Sequence, residues 1–117
     1  MVVEDYDLNR KLICDVLRAN GYEVEAVADG RIVIERASEL SPDLIIMDIQ
    51  LPGVSGTELI EAAGLDTSLR DIPILAVTAF AAKGDEEKIM SAGAAGYLAK
   101  PVSIIPFMRT VTALIKD

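Results

Sequence analysis

The sequence predicts an α/β protein in which five parallel strands are covered by helices on both faces. Two observations carry that prediction. Short apolar runs alternate with amphipathic stretches from one end of the chain to the other. Two of the runs, Leu44-Ile45-Ile46-Met47 and Ile74-Leu75-Ala76-Val77, contain no polar residue, as expected of strands buried on both faces.

Taken in order, Met1-Val2-Val3 is a short first strand ending in Glu4-Asp5, short enough to suggest that the sequence begins inside it. Leu8, Leu12 and Val16 recur at i, i+4 and i+8 and predict a helix that stops at Asn20-Gly21. Tyr22 to Val27 partly alternates through Glu23 and Glu25, a strand with one wetter face. Val33, Ala37 and Leu40 mark a second helix, closed by Ser41-Pro42. The third strand is Leu44 to Met47. Ser55-Gly56-Thr57-Glu58 has the form of a capping box opening a third helix that ends near Gly64. After the fourth strand, a fourth helix is expected from about Lys83 to Ala92, with Gly93 as its stop. Tyr97-Leu98-Ala99 is the fifth strand. Ser103 can cap a last helix that tolerates Pro106 in its first turn. Strictly alternating strands and helices with right-handed crossovers predict a flavodoxin-like (βα)5 doubly wound sheet of order 2-1-3-4-5. A length of 117 residues suits a single domain, 1–117.

Composition narrows the functions available. The formal charge of −8 argues against direct binding of nucleic acid, whose phosphates such a surface repels. No apolar run approaches the roughly 20 residues needed to span a bilayer, and no signal peptide is recognisable. The single cysteine, Cys14, cannot form an intramolecular disulfide; it fits a reducing, cytoplasmic setting and reads as a small buried hydrophobe. The chain has no histidine, so any histidine chemistry in its function belongs to another protein.

The polar residues at strand ends are the informative ones. In a sheet of this order, ligands bind at the carboxyl ends of the strands. Glu4-Asp5 ends the first strand, Asp48 the third, Thr78 the fourth and Lys100 the fifth. Strands 1, 3, 4 and 5 are consecutive neighbours in the sheet, so these groups converge on one rim. Each alone is more commonly a solvated turn residue or a structural hydroxyl; their agreement in topology points to a site. Carboxylates that close repel each other and must take up a proton or a cation. Hard oxygens in a partly open site suit Mg²⁺, and a compact ammonium suits a phosphoryl oxygen. The set fits phosphoryl transfer to a carboxylate, with Asp48 as the natural nucleophile.

Val3-Glu4-Asp5, Met47-Asp48-Ile49-Gln50-Leu51-Pro52 with Gly56, Val77-Thr78-Ala79, and Tyr97 followed by Lys100-Pro101 resemble the motifs of a bacterial two-component response-regulator receiver domain, in that family's order and across essentially the whole chain. The resemblance implies that Asp48 accepts a phosphoryl group from a phosphohistidine on a histidine kinase or histidine phosphotransfer protein. It implies Mg²⁺, or Mn²⁺, held by Asp5, Asp48 and the backbone carbonyl of Gln50, with Glu4 acting directly or through water. Lys100 would pair with the phosphoryl oxygens across a cis Lys100–Pro101 peptide. Thr78 would move to the phosphate and Tyr97 turn inward behind it, while the small Ala79 leaves the site open. The expected output surface is the fourth helix, fifth strand and fifth helix, where Ala92, Ala94 and Ala95 would let a downstream protein approach closely. The chain would catalyse only its own phosphorylation and dephosphorylation, with no turnover of a free substrate, and its oligomeric state is left open. Nothing resembling an output domain follows Lys116-Asp117, which fits either a stand-alone receiver or one cut from a longer protein.

Three other readings compete. A pseudo-receiver adaptor would bind partners without phosphorylation, against which stands the complete acidic set. A small aspartyl-phosphate hydrolase would need a second acid to activate water and a cap over its substrate, and the connecting loops are short. A flavodoxin-like cofactor binder would want a phosphate-cradling loop after the first strand, where Glu4-Asp5-Tyr6-Asp7 stands instead.

Overall fold

The computed structural model describes residues 1–79 and 85–115. The expected helix start at Lys83, and the terminal Lys116-Asp117, lie outside the described residues. Five strands form one parallel sheet: β1 (Val2–Val3), β2 (Ala26–Val27), β3 (Ile45–Asp48), β6 (Ile74–Thr78) and β7 (Gly96–Ala99). Their spatial order is β2-β1-β3-β6-β7, which is the expected 2-1-3-4-5. The helices are α1 (Asp7–Ala19), α2 (Val33–Leu40) after a 3-10 turn at Gly30–Ile32, α3 (Gly56–Leu65), α4 (Asp85–Ala92) and α5 (Ile104–Ile115). Among the described residues no helix is long and apolar enough to cross a membrane.

The two-residue period of the strands divides the core into two layers. Val3, Ile45, Met47, Ile74 and Ala76 join one cluster with Val33, Ile60 and Ile89 from α2, α3 and α4. Val2, Ile46, Leu75 and Val77 join the other, with Cys14 and Leu17 from α1 and Phe107 and Val111 from α5. Because both faces are covered, β3 and β6 are buried at every position, which is why their sequences stay apolar up to the terminal Asp48 and Thr78.

Three local expectations need correction, and one short element was not anticipated. Of the Leu8–Leu12–Val16 stripe of α1 only Val16 packs against the core: Leu8 and Leu12 are 67% and 55% exposed, while Cys14 and Leu17 are buried and Ile13 packs beside them. Apolar residues wrap most of this helix, so spacing alone did not fix its phase. The second strand is paired only at Ala26 and Val27, not from Tyr22. An antiparallel hairpin of two-residue strands, β4 (Gln50–Leu51) and β5 (Val54–Ser55), follows Asp48; elements so short show no alternation to read. Ala94 is buried after the left-handed Gly93 (φ +124°) and forms part of the core, so it shapes the turn instead of opening a surface; Ala95 is exposed.

Gly56 closes the hairpin onto the sheet. Its N–H donates to the carbonyl of Ile49 at 3.3 Å, and a Cβ placed on it would lie 2.6 Å from Ile49 Cα and 2.7 Å from Ile49 O. Only glycine permits so close an approach behind Asp48. Ser55 then caps α3, its hydroxyl accepting the Glu58 N–H at 3.3 Å.

The corrected phase of α1 is testable by urea denaturation. Leu17→Ala should cost about 2–5 kcal/mol, whereas Leu12→Ala, on the solvent face, should stay within about 0.5 kcal/mol of the wild type. Equal losses at the two positions would return Leu12 to the core.

Candidate functional site

The carboxyl ends of β1, β3, β6 and β7 bring together the residues that the sequence placed there. Glu4 follows β1, and its N–H donates to the Val27 carbonyl at 3.0 Å, which continues the sheet one residue beyond the paired strand. Its carboxylate is buried, at 1% exposure. Asp5, next along the chain, is exposed. Asp48 ends β3 and is buried, and one carboxylate oxygen of each of Glu4, Asp5 and Asp48 lies within 4.8 Å of the others.

Lys100, just past β7, spans the pair of buried acids. Its ammonium donates to Glu4 Oε1 at 2.8 Å and to Asp48 Oδ2 at 3.1 Å. The other oxygen of Asp48, Oδ1, accepts the backbone N–H of Gln50 at 2.9 Å. The phosphoacceptor candidate is therefore oriented at both oxygens, by a side chain from β7 and by the start of the hairpin. Lys100 is itself anchored by its backbone N–H, which donates to Thr78 O at 2.7 Å, and the Lys100–Pro101 peptide is cis. Thr78 is buried at the end of β6 and Ala79 is exposed just beyond it. Tyr97 lies apart from the acidic cluster: half-buried on β7, it packs against the core layer under α2, α3 and α4. Burial, reinforced by Glu86 and Asp85, pushes its hydroxyl above its ordinary pKa.

The electrostatics follow from the crowding. Burial is the main cause that lifts Glu4 from an ordinary 4.5 to about 7, aided by neighbouring Asp48 and opposed by Lys100 and Asn9. Burial works on Asp48 in the same direction, but Glu4, the Gln50 N–H and Lys100 outweigh it and hold Asp48 below its ordinary value. The pair thus prefers its proton on Glu4 and its charge on Asp48. Burial alone would depress Lys100; the two carboxylates outweigh it and leave the ammonium above its ordinary pKa, hence firmly charged.

A divalent cation fits this set. The second oxygen of Glu4, Oε2, is buried without a hydrogen-bond partner among the described residues, an expensive condition that a proton or a metal relieves. Three carboxylates in ligand range, one of them exposed to a wet side, are hard oxygen donors of the kind that Mg²⁺ takes while retaining waters.

Two features escaped the sequence. One is the Glu4–Lys100 ion pair: position put both residues at the same rim, but nothing in the spacing said that Lys100 is shared between two acids. The other is Arg10, in the first turn of α1, whose guanidinium donates to the backbone carbonyls of Glu4 and Asp5 at 2.9 and 3.3 Å. Contacts to backbone atoms leave no residue pattern to find.

A five-stranded α/β sheet with buried acids and a lysine at its rim defines a class, and comparison of sequences agrees: residues 1–112 match the response regulator receiver domain family, to which this chain belongs. Among individual proteins, the chain is 47% identical over 117 residues to the polar-differentiation response regulator DivK of Brucella anthropi, an alignment that takes in 100% of this chain and 95% of that protein. In structure it is similar to the chemotaxis response regulator CheY4 of Vibrio cholerae, with a TM-score of 0.89 at 29% identity, covering 97% of this chain and 94% of that one. It is also similar to the receiver domain of a sensor histidine kinase from Pseudomonas aeruginosa, solved with a magnesium ion coordinated in its active-site cleft. There the TM-score is 0.90 at 35% identity, over 99% of this chain and 95% of the other.

The raised pKa of Glu4 sets a pH dependence. A carboxyl that holds its proton more tightly when folded favours folding in acid. Its contribution is complete below about 4.5 and is lost as pH rises through about 7. Urea unfolding in chelator should therefore show stability falling between those two values. Glu4→Gln, whose amide carries no titrating proton, should flatten that part of the profile relative to the wild type. Parallel profiles for the two proteins would mean that Glu4 is ionised throughout.

Proposed function

We propose that this receiver domain is a phosphorylation switch in which Asp48 accepts a phosphoryl group from a phosphohistidine on a histidine kinase or histidine phosphotransfer protein. The observation that carries the reading is the condition of Asp48. It is buried, held ionised, and oriented by the Gln50 N–H at 2.9 Å and the Lys100 ammonium at 3.1 Å. A carboxylate is a weak nucleophile, so its position and charge state matter more than its basicity. A carboxylate oxygen of Asp48 forms the new O–P bond as the P–N bond of the donor breaks, and the imidazole departs with the electron pair. The product is a mixed anhydride, whose three peripheral oxygens carry negative charge into a rim that already holds three acids.

That added charge calls for two compensations. Lys100 supplies one, since its ammonium already touches Asp48 and need only follow the new oxygens. Asp5, Asp48 and the carbonyl of Gln50 would hold Mg²⁺, with Glu4 in contact or one water away; when bound, the ion neutralises phosphoryl charge and orients the donor group. The single-observation case for that site is the unpartnered, buried Oε2 of Glu4.

The readout would run from Thr78 to Tyr97. Thr78 ends β6 beside Asp48 and is one backbone hydrogen bond from Lys100. A hydroxyl drawn to the phosphoryl oxygens would free space behind it, and Tyr97, half-buried on the adjacent strand, would turn inward to fill it. The face of α4, β7 and α5 would then differ between the two states, and a downstream protein that binds one of them would read the signal. On this reading the chain turns over its own acyl phosphate and no free substrate.

Incubation with acetyl phosphate followed by intact mass spectrometry is the direct test. With Mg²⁺ the protein should gain one acid-stable, base-labile phosphoryl group; without Mg²⁺, or as Asp48→Asn, it should gain essentially none. An adduct that is indifferent to metal, or no adduct at all, would favour an adaptor that works unphosphorylated. Sustained hydrolysis of varied phosphomonoesters would favour a hydrolase.

A further inference from the structure

Arg10 occupies a position that helix electrostatics disfavour. It lies in the first turn of α1, where the exposed N–H groups and the dipole repel a cation. Its side chain nevertheless folds back over the helix start and is only 22% exposed. Three acceptors hold it there. One guanidinium nitrogen donates to the carbonyls of Glu4, at 2.9 Å, and Asp5, at 3.3 Å, and the other pairs with the carboxylate of Asp7. Asp7 is almost fully exposed, so it steadies the guanidinium from the solvent side. The carbonyls that Arg10 grips belong to the two residues whose side chains face Asp48. They come just where the paired register of β1 ends, at Val3, and before α1 begins at Asp7. Tyr6, the residue preceding the helix, has no side-chain capping bond, so local capping does not fix this turn.

We propose that Arg10 is a positioning residue for the divalent-cation site: one guanidinium nitrogen holds the backbone carbonyls of Glu4 and Asp5 while the other is tied to Asp7, so that the Glu4 and Asp5 carboxylates stand ready beside Asp48. The inference rests on the phosphoacceptor reading above and assigns to Arg10 a task that none of the strand-end residues performs. A planar fork can hold two carbonyls on one nitrogen and the Asp7 carboxylate on the other at once; a lysine ammonium offers the charge from a single nitrogen, without the second arm.

Charge and geometry make opposite demands here, which gives the test its sign. As a mere neighbouring cation, Arg10 would repel Mg²⁺, and removing it would tighten binding. As a clamp, Arg10 improves binding, and removing it loosens the ligands. Mg²⁺ titrations followed through the backbone amide resonances of Asp5 and Asp48, at fixed ionic strength, should show affinity about tenfold weaker in both Arg10→Met and Arg10→Lys, as for other residues that support metal ligands. At saturating Mg²⁺ both variants should recover most of the wild-type rate of phosphorylation by acetyl phosphate, a recovery that general structural damage would not allow. Wild-type affinity in Arg10→Lys, or tighter binding in Arg10→Met, would reduce Arg10 to a surface charge. Should Arg10→Met unfold, Arg10→Lys, with stem and charge intact, decides the matter alone. If the wild-type protein gave no Mg²⁺-dependent shifts at Asp5 and Asp48, the phosphoacceptor reading would fail and the clamp with it. Normal shifts in the wild type with unaltered variants would overturn the clamp only.

Discussion

One ammonium group organises the rim of this sheet. Lys100 reaches from the end of β7 to Asp48 at the end of β3 and to Glu4 beyond β1, and in doing so links three strands through side chains that are almost entirely out of water. Burying two carboxylates side by side is costly, and a single cation between them is the least that makes it tolerable. The lysine can do this only because the sheet order sets β1, β3, β6 and β7 side by side, and because the parallel register brings their carboxyl ends level. Fold and site are thus one problem. The same alternation that sends apolar residues to both faces also delivers the charged residues to one edge.

That arrangement is stable yet incomplete. Lys100 satisfies one oxygen of Glu4 and one of Asp48, the Gln50 N–H satisfies the second oxygen of Asp48, and Glu4 Oε2 is left over among the described residues. Buried polar atoms in folded proteins nearly all find partners, so a buried orphan beside two other carboxylates signals a place where something else binds or a proton resides. The lift of Glu4 toward neutrality expresses the same deficit in another form. A core of ordinary quality on both sides of the sheet holds the chain in this conformation despite the local cost.

Much of this was legible in the residues, for reasons that can be stated. Strands buried on two faces must be apolar throughout, so β3 and β6 announced themselves, and the residue at which each run turned polar marked the rim. Asp48, Thr78 and Lys100 were found by that rule, and Glu4 and Asp5 by the same rule applied to β1. The rule fails where its premise fails. In α1 the apolar residues Leu8, Leu12, Ile13, Cys14, Val16 and Leu17 cover more than one stripe, and the i, i+4 spacing of Leu8 and Leu12 fell on the solvent side. The hairpin after Asp48 has strands of two residues and depends on a backbone contact at Gly56, which has no periodic signature. Arg10 is invisible for a related cause: its partners are carbonyl oxygens, which every residue possesses.

These illegible features share a location and a function. The hairpin delivers the Gln50 N–H to Asp48, Gly56 presses that hairpin onto Ile49, and Arg10 grips the turn that carries Glu4 and Asp5. Side chains that do chemistry are constrained in type, so sequence reveals them; the backbone that aims them is constrained in shape, which many sequences satisfy. A carboxylate displaced by even an ångström forfeits much of what positioning contributes to phosphoryl transfer. The supports therefore bear on function as directly as the charged groups do. In this chain the charged residues at the rim match the motifs it shares with its family, whereas the means of holding them, a guanidinium folded back over its own helix and a glycine against a strand end, has to be read from the structure.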